Sequence, residues 1–252
     1  MSESSRRRLA VVSGGGSGIG RAIALLLATG GDDVIVIGRR PESLAATVEL
    51  AGSASGRISP LVADLTEPAE VAAAATGITS AGRQVDVLVN NAGGNLAPVP
   101  APDLAGLRRD WLANVTGNVL PVVLLTEALL PAVGRPGGRI VTISSVAALR
   151  GPATYGGAKA ALHPWSAELA ARLAPDGVTA NVVAPGYVTG TGFYDGRMTQ
   201  DFHIGRAGQS PMRRGGTVEE IAAAVGYLTG PAAGFITGQV IHINGGAQPG
   251  RG

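Results

Sequence analysis

Leu9-Ala10-Val11-Val12-Ser13-Gly14-Gly15-Gly16-Ser17-Gly18-Ile19-Gly20-Arg21-Ala22-Ile23-Ala24-Leu25 reads as a short apolar strand, a glycine-rich turn and the opening of a helix. Glycine permits a tight turn and lets a backbone approach a ligand closely, and the following helix end offers free N–H groups and a positive dipole end to an anion. Glycine fills 39 of the 252 positions, so the glycine spacing by itself carries little. What counts is its place between a first strand and a first helix, where a pyrophosphate is expected against Gly14, Ser17, Gly18, Ile19 and Gly20.

Outward from this stretch the same alternation continues to the end of the chain. Short β-branched runs fall at 9–13, 34–37, 58–62, 85–90, 139–143, 178–183 and 239–243, and helical spacing at 18–28, 42–50, 68–80, 104–133, 155–173 and 218–228. Near-continuous apolar strands alternating with helices imply a parallel sheet covered on both faces. The expected fold is α/β: a doubly wound (Rossmann) seven-stranded parallel sheet in a single domain, 9–252, after a flexible tail, 1–8. Residues 187–216 break the rhythm with glycines, Phe193, Tyr194, Phe202 and His203, and follow a strand end. Ligands bind beyond the carboxyl ends of such strands, so this stretch is expected to cover a substrate.

Composition narrows the field. A length of 252 residues suits one domain of roughly 250 residues or fewer, and 45% apolar residues supply a core. With no cysteine there is no disulfide, thiolate metal site or cysteine nucleophile. A net charge of +2 is too small a basic excess for a nucleic-acid partner. Behind Arg6-Arg7-Arg8 the apolar run is shorter than the roughly 7–15 residues of a secretion signal, so no membrane partner and a cytoplasmic location are expected. His163, His203 and His242 are scattered, and no metal site is expected.

Two further places carry chemistry. The second strand is followed by Arg39-Arg40, where NAD-binding domains carry a carboxylate for the ribose 2′-hydroxyl; Asp32 and Asp33 lie at its far end. A guanidinium suits a 2′-phosphate instead, so the expected cofactor is NADP(H). Of the 20 basic residues only Lys159 is a lysine, and it lies one helical turn after Tyr155. An ordinary tyrosine, with a pKa of about 10, is a poor acid at neutral pH, and an adjacent ammonium favours its phenolate.

With these motifs in order, the chain resembles the short-chain dehydrogenase/reductase family in its single-domain form, from Leu9 to Gly246. Further matches are Asp64-Leu65, Asn90-Asn91-Ala92-Gly93, Asn114, Ser144-Ser145, Pro185-Gly186 and Ile236-Thr237-Gly238. The resemblance implies that Ser145 bonds the substrate carbonyl oxygen and that Tyr155 exchanges a proton with it. It implies that Lys159 binds the nicotinamide ribose and lowers the tyrosine pKa, and that Asn114 holds a water in a relay to Lys159. Asp64 would accept from the adenine amino group, beside Leu65. Asn91, Ala92 and Gly93 would line the adenosine ribose, and Pro185, Gly186 and Val188 the nicotinamide. Gly190 stands where the family has a threonine, so Thr189 or Thr191 is expected to take over its bond.

Other departures bear on activity and assembly. Ser13 replaces the usual threonine, and Tyr155 follows Ser145 more closely than is common. Pro164 falls inside a helix that relatives use to form tetramers and should kink it. The expected activity is NADPH-dependent reduction of a ketone to a secondary alcohol, by a homo-oligomer, tetramer or dimer. The alternatives are a 3-oxoacyl carrier-protein reductase, whose carrier-gripping arginine is here replaced by Asp176, and a non-catalytic NADP-binding redox sensor.

Overall fold

The computed structural model describes residues 6–80, 82–99, 101–194 and 199–249. Their strands are β1 (Leu9–Ser13), β2 (Asp33–Gly38), β3 (Ile58–Val62), β4 (Val87–Asn90), β5 (Arg139–Ile143), β6 (Thr179–Pro185) and β7 (Val240–Ile243). Their α-helices are α1 (Gly18–Thr29), α2 (Pro41–Ala51), α3 (Pro68–Thr79), α4 (Leu104–Asn118), α5 (Leu120–Leu129), α6 (Ala153–Leu173), α7 (Gln200–Ala207) and α8 (Val218–Thr229). The strands form one sheet in the order β3-β2-β1-β4-β5-β6-β7, every pair parallel.

Successive side chains of a strand point to opposite faces, and here both faces are apolar. Ala10 and Val12 of β1 pack with Ile23 and Leu27 of α1 and with Ile221, Val225 and Leu228 of α8. Leu9 and Val11 pack on the other side with Val71 and Ile78 of α3, Leu125 and Leu129 of α5, and Leu169 of α6. Each fully buried branched side chain of this kind contributes about 2 kcal/mol, which is why the β-branched runs were readable as strands.

The differences from expectation have physical causes. The helix expected over 104–133 is two, because Pro121 has no N–H for the Gly117 carbonyl and starts α5 afresh. Residues Leu104–Ala132 are long and apolar enough to cross a bilayer by composition, yet α5 turns Leu125 and Leu129 into the core. The strand expected from 85 starts at Val87, since Val85 bridges instead to Val133. Despite Pro164, α6 continues as one helix from Ala153 to Leu173.

Within 187–216 the structure adds α7, which the hydrophobic pattern did not reveal. It is capped by the Thr199 hydroxyl, which accepts from Phe202 N at 3.2 Å. Residues 195–198 and the Tyr194 side chain lie outside the described part. Of the tail expected over 1–8, residues 6–8 are described. Arg6 pairs with Asp86 at 2.6 Å, Arg8 with Asp32 at 2.7 Å, and Arg7 lies 3.8 Å from Asp33. Residues 1–5 lie outside the described part.

Candidate active site

The strand order reverses between β1 and β4, and a cleft of about 1510 Å³ opens beyond the carboxyl ends of the strands there. Hydrogen bonds lock the loops after β1 and β4 together. The Ser13 hydroxyl accepts from Asn91 N and Ala92 N at 3.0 and 3.1 Å, and Asn91 Nδ2 donates to the carbonyls of Ser13 and Gly14 at 3.1 and 3.2 Å. Serine in place of threonine therefore keeps the bonds a hydroxyl must make.

Gly14 has φ +66°, and a Cβ on it would lie 2.8 Å from Asn91 Nδ2, so this turn is open to glycine alone. Behind the loop, Thr47 Oγ1 donates to the Gly15 carbonyl at 3.0 Å and the Arg21 guanidinium donates to the Gly16 carbonyl. Sequence reading missed both props; neither residue type carries a signal on its own. The carbonyls are thus held from the rear while Gly14, Gly16, Ser17, Gly18 and Ile19 line the cleft. Gly20 does not line it. A side chain there would strike the Gly14 carbonyl, so this glycine allows close packing of helix on loop rather than ligand contact.

At the next strand end, Arg39 and Arg40 are exposed and line the cleft. Arg39 Nη1 lies 3.8 Å from Asp64 Oδ2, while Asp64 Oδ1 accepts from Thr66 N and Oγ1 at 3.0 and 2.8 Å. These bonds from Thr66, with the Arg39 charge adding a little, hold the Asp64 carboxyl below the usual carboxylate range. Leu65 is buried beside it and also lines the cleft. Asp32 and Asp33, at the opposite end of β2, are engaged by Arg8 and Arg83.

The chemical groups gather around the end of β5 and the start of α6. The Ser145 hydroxyl accepts from Ala147 N at 3.1 Å, capping a short 3₁₀ turn over Val146–Ala148. Tyr155 is buried, its ring tilted against Phe193 with centroids 5.4 Å apart. One turn on, Lys159 is buried and donates from Nζ to the Ile143 carbonyl at 3.1 Å. Burial pushes its pKa down from 10.5 to about 8. Gly93, with φ +146°, makes room for it: a Cβ there would lie 3.1 Å from Lys159 Nζ.

A second link between β5 and α6 was not foreseen. The Ser144 hydroxyl donates to the Lys159 carbonyl at 3.1 Å, leaving it to accept from His163 Nε2 at 2.9 Å. Burial, and then the nearby His242, lower the His163 pKa. The sequence had set His163 aside for lack of metal-ligand company, but it lies one further turn along the Tyr155–Lys159 face.

Asn114 is buried on α4. It does not line the cleft; its amide accepts from Leu96 N at 3.2 Å and donates to the Asp110 carbonyl at 3.1 Å and Thr154 Oγ1 at 3.3 Å. Three of its four bonding positions are therefore taken. Unforeseen Asn118 sits one turn on, its amide bridging both polar groups of Gly94 at 3.0 and 2.9 Å. On the far side, Pro185, Gly186 and Val188 line the cleft after β6. Gly190 has φ +71°, which a threonine would hold only with strain. Thr189 turns away to Gly216, whose carbonyl takes its hydroxyl at 3.2 Å, whereas Thr191 lines the cleft opposite Gly18.

The family model described as enoyl-(acyl carrier protein) reductase matches residues 14–248. The chain is 35% identical to the 3-oxoacyl-[acyl-carrier-protein] reductase FabG of Escherichia coli, over 95% of this chain and 96% of that protein. It is 37% identical to the short-chain reductase protein NovJ of Streptomyces niveus, over 96% and 94%. A crystal structure of a short chain dehydrogenase from Burkholderia cenocepacia in complex with NADP superposes with a TM-score of 0.82 at 33% identity, covering 96% of this chain and 97% of that one.

Proposed function

This chain belongs to the short-chain dehydrogenase/reductase family of oxidoreductases, and from that premise we propose that it reduces a ketone to a secondary alcohol with NADPH, Tyr155 giving the proton. One observation carries the reading: Ser145, Tyr155 and the buried ammonium of Lys159 line the same cleft as the glycine loop at Gly14–Ile19.

The residues present fit a dinucleotide. Gly14, Gly16 and Gly18 leave the loop backbone open to the cleft where a pyrophosphate would lie. Arg39 and Arg40 stand where a 2′-phosphate would be bound, and Asp64 keeps Oδ2 outside its bonds to Thr66. When bound, the cofactor supplies the hydride. The protein positions the carbonyl and manages its proton.

Ser145 already accepts a bond from Ala147 N, so its own proton is left for the carbonyl oxygen. Tyr155 then gives its phenolic proton to the oxygen as the alcohol forms. Lys159 stabilises the phenolate left behind, and a pKa of about 8 keeps it cationic at neutral pH. Asn114 acts by fixing the α4 wall to the loop after β4 and to Thr154, next to Tyr155. The 187–216 segment covers the substrate, with Phe193 against Tyr155.

Asp176, ion-paired with Arg135 at 3.0 Å, supports a free ketone over an acidic carrier protein. The assembly we propose is a homo-oligomer. The experiment is NADPH and NADH oxidation against ketones, with Tyr155→Phe and Arg39→Ala. Tyr155→Phe should abolish turnover, by at least about 100-fold, while still binding NADPH; Arg39→Ala should weaken NADPH far more than NADH. Undiminished turnover by Tyr155→Phe would sink the proton-donor role. Tight NADPH binding with silence across the ketones would favour a sensor.

A further inference from the structure

The Tyr155 end of the cleft is rimmed by cations that the chemistry above does not use. Arg108 lies on α4, one turn before Leu112; both line the cleft. This stretch of α4 packs on the start of α6, as a Cβ on Gly157 would lie 2.5 Å from the Trp111 ring. Arg150 lies between Ser145 and Tyr155, just beyond the 3₁₀ turn that Ser145 caps, and lines the cleft as well. Among the described residues neither guanidinium has a carboxylate within ion-pair distance, whereas Arg135 and Arg214 each have one and Arg172 has two.

The acidic side of the balance is nearly empty. The cleft-lining carboxylates among the described residues are Asp64 and Glu220. Asp64 belongs to the Arg39 end, and both oxygens of Glu220 are held by Arg214, at 2.8 and 2.6 Å. No described carboxylate therefore neutralises Arg108 or Arg150. Same-sign charges on the walls of a cleft concentrate its field and draw in counter-charge. The neighbouring lining groups Leu96, Leu112 and Phe193 are apolar, so a ligand here meets an apolar wall under a cationic rim.

We propose that the ketone reduced at Tyr155 carries an anionic oxygen group, a carboxylate or a phosphate, which Arg108 and Arg150 bind. The inference rests on the reductase reading for the position of the carbonyl. The rim is separate from Arg39 and Arg40, which lie beyond β2. A guanidinium offers paired donors matched to either anion.

The test compares benzoylpropionate with its methyl ester, and hydroxyacetone phosphate with hydroxyacetone, as substrates of the NADPH-loaded enzyme. For at least one pair, kcat/KM should favour the anion by about tenfold or more, chiefly through KM. Which pair responds separates carboxylate from phosphate. The preference should shrink as salt is raised, since screening acts within a Debye length of about 10 Å at 0.1 M. In Arg108→Gln and Arg150→Gln the anion-to-neutral ratio should fall several-fold, and in the double variant approach one. Salt dependence of the wild-type ratio serves where a variant fails to fold. Equal kcat/KM for anion and neutral partner in both pairs would overturn the proposal while leaving the reductase reading intact. If no ketone turns over, calorimetry decides: tighter, salt-sensitive binding of benzoylpropionate or hydroxyacetone phosphate than of its neutral partner upholds the anion site and indicts the reductase reading. Equal or absent binding overturns the site.

Discussion

Lys159 sets the pH at which the proposed chemistry can run. Burial lowers its pKa to about 8 from 10.5, so the folded chain releases this proton before an unfolded one would. Between those values the unfolded chain binds more protons, and stability gains from raising the pH through that window. Catalysis moves the other way, because the ammonium is the form that steadies a tyrosine phenolate. Ketone reduction should decline above about pH 8, which a profile of kcat against pH would show; a rate flat to pH 10 would contradict the role. His163 bears on the same group, through Ser144 and the Lys159 carbonyl. That bridge was unreadable in the sequence, because nothing in a lone histidine says which serine it meets. The Tyr155–Lys159 pair was readable because one helical turn joins its members.

Among the elements, legibility followed local physics. Strands buried on both faces carry their signal in near-continuous apolar runs, as Leu9–Val12 of β1 and Ile140 and Val141 of β5 do. α7 carries none, since Gln200, Asp201, His203, Gly205 and Arg206 make no apolar stripe; its cap at Thr199 and the Tyr187 hydroxyl bonded to His203 Nδ1 at 2.7 Å were the missing information. The break at Pro121 could have been read from the proline, had not the continuous apolar pattern masked it. α8 shows how much one terminus can hold. The Thr217 hydroxyl accepts from Glu220 N at 3.2 Å, and the Glu220 carboxylate accepts from Thr217 N at 2.8 Å. Arg214, then the Thr217 amide, pull the Glu220 pKa down to about 2. Thr217→Ala should cost about 1 kcal/mol, a fall in Tm of about 2–4 °C for a chain of this size. Calorimetry would measure it, and an unchanged Tm would deny the cap its part in stability.

For the molecule as a whole, the faces left uncovered matter most. Leu104, Leu107, Trp111 and Val115 of α4 recur at helical spacing and are all exposed. A monomer rarely leaves such a stripe open, and it supports the homo-oligomer proposed above. Light scattering should return the mass of a dimer or tetramer, and a Leu104→Arg, Leu107→Arg double variant should lower it. A monomer in the unaltered protein would refute the assembly. The position of Lys159 has an outcome of another sort. It is the chain's one lysine and only 3% exposed, so acylating and cross-linking reagents aimed at side-chain amines have a single target, lodged in the cleft wall. The rate at which such a reagent modifies the Lys159 peptide becomes a chemical clock for opening of the cleft, with no other lysine to compete for the reagent.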